Sequence, residues 1–287
     1  MRPRRASTTR ETSRRATTRR PALPRRAVTA ALVGVGALLA AGTLAGCGGS
    51  IVIGDGDAGP RETVVQILSV PVTTVDIGTS GTMHVVVGDE PTLTITAGEQ
   101  VIDEITAVVH GETLDIDLPG TWLNTGPIEY ELVVPALASI SVRGSADVSG
   151  EIAPTGPVAV SIDGSGDVDV SGADGADEVV VDIEGSGDVA LDDLDAQTVT
   201  VAIDGSGSVR LAGTTATLEV SIPGSGEVDA DGLLAADVRV GIEGSGDARV
   251  HAERTLDVRI AGSGAVRYTG DPRVSEDIDG SGDVGRA

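Results

Sequence analysis

Carboxylates flank a recurring glycine-serine corner, and they are the first feature of this sequence that could do chemistry. Asp147, Asp167 and Asp188 each follow a Gly-Ser-small unit, while Asp163, Glu184 and Asp204 each precede one. If such units stack, each set becomes a ladder of like charges about 4.8 Å apart, and neighbours repel by roughly 0.9 kcal/mol in water. Either backbone hydrogen bonding and solvation relieve that repulsion, or a hard cation such as calcium sits between successive carboxylates. Ser208 and Ala265 interrupt one ladder, and Pro223 and Ala261 the other, which favours the first explanation. One short unit per coil is also the wrong period for a nonapeptide calcium roll. Trp122 and Tyr130, in TWLNTGPIEY, offer aromatic faces on which a sugar ring could stack, against an ordinary packing role.

Other patterns carry less. His84, His110 and His251 lack metal-ligand spacing and a nucleophile partner, and no G-x-S-x-G elbow occurs. Residues 54–59 (GDGDAG) match G-x-G-x-x-G, but no helix is expected after them and their aspartates would repel a pyrophosphate. No catalytic residue is assigned.

The elements that must position these carboxylates are written as a repeat. A Gly-Ser-small unit begins at Gly144, Gly164, Gly185, Gly205, Gly224, Gly244, Gly262 and Gly280, at intervals of 18 to 21 residues. Ahead of most copies runs an alternating apolar stretch, such as Val158-Val160-Ile162, Val179-Val181-Ile183 or Val238-Val240-Ile242. A shorter alternating stretch follows each copy, as in Val168-Asp169-Val170. Both read as strands with one buried face. Gly is expected at the corner for the φ values it reaches cheaply. The expectation is an all-β protein, a parallel β-helix-like β-solenoid with about 20 residues per coil, rather than an antiparallel meander. Stacked coils share a narrow core that suits β-branched side chains, and the chain accordingly has no Phe, one Trp and two Tyr.

Composition adds an address. The chain has 287 residues and no Lys; ten of its 20 Arg lie before residue 47, where Glu11 is the only acid. From residue 47 onward, 10 Arg face 43 acids, a formal charge of −33. Such a body repels phosphate backbones, so no nucleic-acid partner is expected. The Arg-rich start is followed by an uncharged run, Ala27 to Gly46, as in a secretion signal. Its end, Leu44-Ala45-Gly46-Cys47, resembles the bacterial lipobox, which implies diacylglyceryl attachment at Cys47, the only cysteine. Two acyl chains make a stable anchor where one does not. An uncleaved membrane helix is the competing reading of that run, and Arg25-Arg26 is a weak sign of twin-arginine export. The expected organisation is a lipoprotein signal peptide (1–46), a flexible tether (47–60), an amino-terminal β portion (61–143) and the repetitive solenoid (144–287).

The order Val-Val-Val-Gly-Asp (85–89), Leu-Thr-Ile-Thr-Ala (93–97), Gly-Glu-Thr-Leu-Asp-Ile (111–116), Val-Val-Pro-Ala-Leu (133–137), then repeated Gly-Ser-Gly-Asp-Val, resembles the bacterial "putative auto-transporter adhesin, head GIN domain" family over roughly residues 64 to 284. The resemblance implies an exported or envelope-attached β-helix-like protein, with adhesion suggested by the family's name and no agreed catalytic residues. An autotransporter barrel is not expected, since the repeats run on to Ala287. These readings together describe an extracytoplasmic lipoprotein on the outer face of the cell membrane, carrying a non-catalytic adhesin-like module for a glycan or an envelope protein. A structural or sensory envelope partner and, behind it, a polysaccharide-acting β-helix enzyme are the alternatives.

Overall fold

The computed structural model describes residues 51–52, 59–122 and 124–287; the expected signal peptide, Cys47 and most of the expected tether lie outside the described residues. Before the repeats come β1 (Ile51–Val52), β2 (Arg61–Ile67), β3 (Thr74–Ile77), β4 (Ser80–Val87), β5 (Thr92–Gly98), the one-turn helix α1 (Glu99–Ile102), β6 (Thr106–His110), β7 (Thr113–Asp117), β8 (Thr121–Trp122) and β9 (Glu129–Val134). The repeats supply β10 (Ser139–Val142), β11 (Ser145–Glu151), β12 (Val158–Ile162), β13 (Val168–Ser171) and β14 (Asp174–Ile183). Four long strands then each run from one Gly-Ser-Gly corner to the next: β15 (Val189–Ile203), β16 (Ser208–Ile222), β17 (Glu227–Ile242) and β18 (Asp247–Gly262). The chain finishes with β19 (Ala265–Gly270), β20 (Arg273–Gly280) and β21 (Asp283–Arg286). Among the described residues no helix is long and apolar enough to cross a membrane.

Period-2 alternation decides which side chains enter the core. In β12 the inward residues Val158, Val160 and Ile162 are buried and Ala159 and Ser161 are exposed, and the same alternation recurs coil after coil. Parallel pairing then places like on like. One column runs Leu114, Val75, Ile140, Val160, Val181, Val201, Val220, Val240, Val258, each paired with the next. Burying one Val or Ile contributes about 1.5–3 kcal/mol, so no single coil closes its core alone, whereas the stack does. The solenoid has about seven turns of roughly 20 residues, as the repeat requires. Register shifts fall between Leu191 and Leu194, Arg210 and Ala212, and Ala230 and Leu234. The corner opposite Gly-Ser-Gly thus absorbs the unequal repeat lengths, while the strands on either side keep register.

The amino-terminal portion continues the stack, but out of chain order. The coil made by β3 and β4 pairs on one side with β10 and β11, and on the other with β7 and β9, which come later in sequence. Beyond that outer coil the pairing turns antiparallel: β6 adds to β7, β5 to β9, and β2 to β5. Val101 and Ile102 of α1 are buried there and close that end of the core. Within the segment expected to be a tether, Ile51 and Val52 pair in parallel with Thr121 and Trp122.

The Gly-Ser-Gly corners correct one expectation. Of the first glycines from Gly164 onward, only Gly262 and Gly280 have positive φ. The requirement is space. A Cβ on Gly164, Gly185 or Gly205 would fall far inside the carbonyl oxygen of the preceding coil's equivalent glycine. Corners come that close because they are hydrogen bonded to each other: the Ser165 N–H donates to Gly144 O at 3.0 Å, Ser186 to Gly164 O at 3.0 Å and Ser206 to Gly185 O at 3.1 Å.

Candidate functional site

The corner and its flanking carboxylates form the most regular polar array on the protein. After the corner, each acid reaches along the stack to the next coil. Asp147 Oδ1 accepts the Asp167 N–H at 3.3 Å, Asp167 Oδ1 accepts the Asp188 N–H at 2.9 Å, and Asp188 Oδ1 accepts both the Ser208 N–H at 2.9 Å and its hydroxyl at 2.6 Å. Asp247 repeats the contact on the Ala265 N–H at 2.9 Å. Charge-assisted bonds of this kind are stronger than neutral ones. They satisfy backbone donors at a corner where the strand ladder is interrupted, and they give these aspartates a stitching role.

Before the corner the carboxylates have less to hold. Asp163, Glu184 and Asp204 stand side by side, and the exposed Glu184 carboxyl is held above the usual carboxylate range. The charge on Asp163 is the largest cause, followed by a hydrogen bond to Asp163 and then by Asp182 and Asp204. Among the described residues no group of three or more His, Cys, Asp or Glu has a geometry that could hold a metal ion. The six acids considered for calcium form two columns, one accepting backbone N–H groups and the other crowding Glu184 between its acidic neighbours.

Arg143 was not singled out from the sequence, yet it anchors the start of this face. Its Nε donates to Asp76 Oδ1 at 2.6 Å, and its Nη2 lies 3.3 Å from Asp115 and 3.7 Å from Asp117. The Asp76 hydrogen bond is the main cause that raises the guanidinium's pKa. Arg143 stands immediately before Gly144, where later repeats have Asp163, Glu184 or Asp204, and that break in the acidic column was its only signal. Toward the other end, Arg239 pairs with Glu219 at 2.7 Å, Arg259 with Asp277 at 3.2 Å and Arg267 with Asp283 at 2.7 Å. An open concavity of about 430 Å³ on the outer face there is lined by Asp237, Arg239, Thr255, Asp257 and Arg273, among others.

Trp122 and Tyr130 do not meet as a sugar platform. Tyr130 is only 2% exposed, and its hydroxyl shares a 2.9 Å hydrogen bond with Thr79. Burial raises its pKa, and the Thr79 bond opposes the rise. Its ring is part of the core, so the stacking role considered for it is not available. Trp122 is half-buried against the core and donates its Nε1–H to Pro119 O at 3.1 Å. His251 Nδ1 lies 2.9 Å from Thr269 Oγ1, which donates to Asp231 Oδ1 at 2.6 Å; this polar relay ties three successive coils together.

Fold and surface together define a class, a parallel β-solenoid with charged outer faces and a largely aliphatic interior. The model of the family described as "Putative auto-transporter adhesin, head GIN domain" matches residues 71–175 and 151–272. That is well over half of the chain, which belongs to this family. No curated protein matches it significantly. Among solved structures, a crystal structure named a putative lipid binding protein from Parabacteroides distasonis is 23% identical with a TM-score of 0.71, covering 80% of this chain and 97% of its own. A putative adhesin from Parabacteroides merdae is 20% identical at TM-score 0.71, with 80% and 97% covered. Another putative adhesin from Parabacteroides distasonis is 22% identical at TM-score 0.72, with 81% and 98% covered. At these identities the likeness carries the fold alone.

Proposed function

We propose that the chain is a non-catalytic binding module of the cell envelope, lipid-anchored through Cys47, that presents its solenoid flanks as an adhesin-like surface. The observation that carries this reading is the fixed register of outward side chains. From β16 to β18, outward acids and arginines alternate at one strand spacing, Arg210 on Asp229 on Arg249 and Glu219 on Arg239 on Asp257. A repetitive partner, such as a glycan chain or a repetitive envelope protein, would meet many weak contacts at once, and linked contacts raise overall affinity well beyond that of one. The family's description and the names of solved structures with this fold, which speak of adhesins and in one case of a lipid binding protein, are in keeping with a binding role. The experiment joins a glycan array and an envelope pull-down to a comparison of the chain with its Asp163→Asn, Glu184→Gln, Asp204→Asn triple variant. Equal binding by both, or turnover of any polysaccharide, overturns the reading of this face. Cys47→Ser tests the anchor separately, the expected result being loss of the acyl mass and release from the membrane fraction.

A further inference from the structure

The two ends of the stack treat their free edges differently. In the carboxy-terminal coil, Glu276 stands exposed at the register position of the aliphatic column, paired with Val258, and β20 also carries Arg273, Asp277 and Asp279. A charge at that position on an edge strand deters further strand addition, because that addition would bury the charge. At the other end, among the described residues, β2 pairs only with β5 and has no such device. Residues 61–67 (RETVVQI) contain no Lys, no Pro and no bulge, and Val64, Val65 and Ile67 are 48, 61 and 77% exposed.

The free edge of β2 is also self-complementary. Leu68 N–H donates to Pro91 O at 3.0 Å and Glu99 N–H to Pro60 O at 2.9 Å, so the even-numbered residues of this strand bond toward β5. The N–H and C=O groups of Arg61, Thr63, Val65 and Ile67 therefore point outward. A two-fold axis through Val64 sets Arg61 against Ile67 of a second copy and Thr63 against Val65 of the second copy. Those are the residues with unused backbone groups, so every pair forms both of its hydrogen bonds. Glu62 falls opposite Gln66 and Val64 opposite itself, so no like charges meet directly. We infer that β2 is a homodimer interface, in which two copies join edge to edge, antiparallel, into one continuous sheet, in the isologous manner of two-fold assemblies.

The register makes the test sharp. At the axis, residue 64 faces itself as a non-hydrogen-bonded pair with Cα atoms about 4.5 Å apart, within disulfide reach. Residue 67 lies about 20 Å from its own copy, six residues along the strand. The full chain in detergent, with Cys47→Ser so that the introduced thiol is the only one, is compared as Val64→Cys and Ile67→Cys under mild oxidation. The expected result is a disulfide dimer for Val64→Cys, forming on the order of 10-fold faster than for the more exposed Ile67→Cys, and a light-scattering polypeptide mass about twice 28.7 kDa for the chain carrying only Cys47→Ser. Val65→Lys should halve that mass while leaving the far-UV circular dichroism unchanged, with a Tm that no longer depends on protein concentration. A monomer at 100 µM (roughly the concentration at which a weak two-fold contact would still form), equal cross-linking of the two cysteine variants, or a Val65→Lys chain that stays dimeric would each overturn the interface.

Discussion

Alanine at Gly185 separates steric from conformational reasons for the corner glycines. The Cβ would fall far inside the Gly164 carbonyl oxygen and 2.9 Å from its carbon, with only backbone on the other side to yield. Corners must then part, which breaks the 3.0 Å bond from the Ser186 N–H to Gly164 O. Overpacking costs about 1–3 kcal/mol and the lost hydrogen bond about 1 kcal/mol, so Gly185→Ala should destabilise by about 3 kcal/mol. At about 2–4 °C per kcal/mol for a domain of this size, Tm falls by about 6–12 °C. Gly175 and Gly156 are the controls. A Cβ on either meets nothing within 4 Å, but Gly175 has φ +78° and Gly156 does not have positive φ. Gly175→Ala should thus cost only the left-handed penalty of about 1–2 kcal/mol. Gly156→Ala should be neutral or stabilising by up to about 1 kcal/mol. Urea and thermal unfolding of the three variants measures the order. If Gly185→Ala costs no more than Gly175→Ala, close stacking is not what the corner glycines serve.

The charged face yields three more expected outcomes. Glu184 has its folded pKa raised, so its ionisation opposes folding: stability is fullest below the unfolded pKa and is lost as pH rises through the folded one. Glu184→Gln should therefore raise Tm at pH 7 and make no difference near pH 4, as thermal scans at both pH values would show. Asp188→Ala leaves the Ser208 N–H and hydroxyl without their acceptor and should cost about 1 kcal/mol in urea unfolding, whereas Asp188→Asn, which keeps an oxygen, should cost less. Arg143→Met removes the partner shared by Asp76, Asp115 and Asp117. Because the side chain is 39% exposed, the loss should be about 1 kcal/mol and shrink markedly in 1 M salt.

The repeat was legible because a parallel solenoid writes its geometry into sequence twice, in the period of its coils and in the alternation within each strand. Val160, Val181 and Val201 announce their column before any coordinate is known. In the amino-terminal portion the strands were legible, but not the order in which they stack. Its coil order is set by tertiary pairing, β7 and β9 returning to stack outside β3 and β4, and nothing in the local pattern of residues 113–134 records that return. The pairing of Ile51 and Val52 with β8 escaped for a similar reason: two residues between glycine-rich stretches carry no periodicity.

The same contrast explains what was missed in the carboxylates. Alternation identifies which side chains face outward, but a carboxylate's role depends on what the next coil offers it. After the corner the next coil offers an N–H, so Asp167 becomes a stitch. Before the corner it offers another carboxylate, so Glu184 becomes a repelled neighbour. Arg143 and Glu276 are the two places where the column rule is broken in the opposite sense, a cation among acids and an acid among aliphatics. Each sits where the stack changes character: Arg143 where the repeats meet the coils that precede them, Glu276 at the last coil. Departures from a repeat are therefore as informative as the repeat: each coil is templated by its neighbour, and here the two reversals of charge or polarity fall where the neighbouring coil changes.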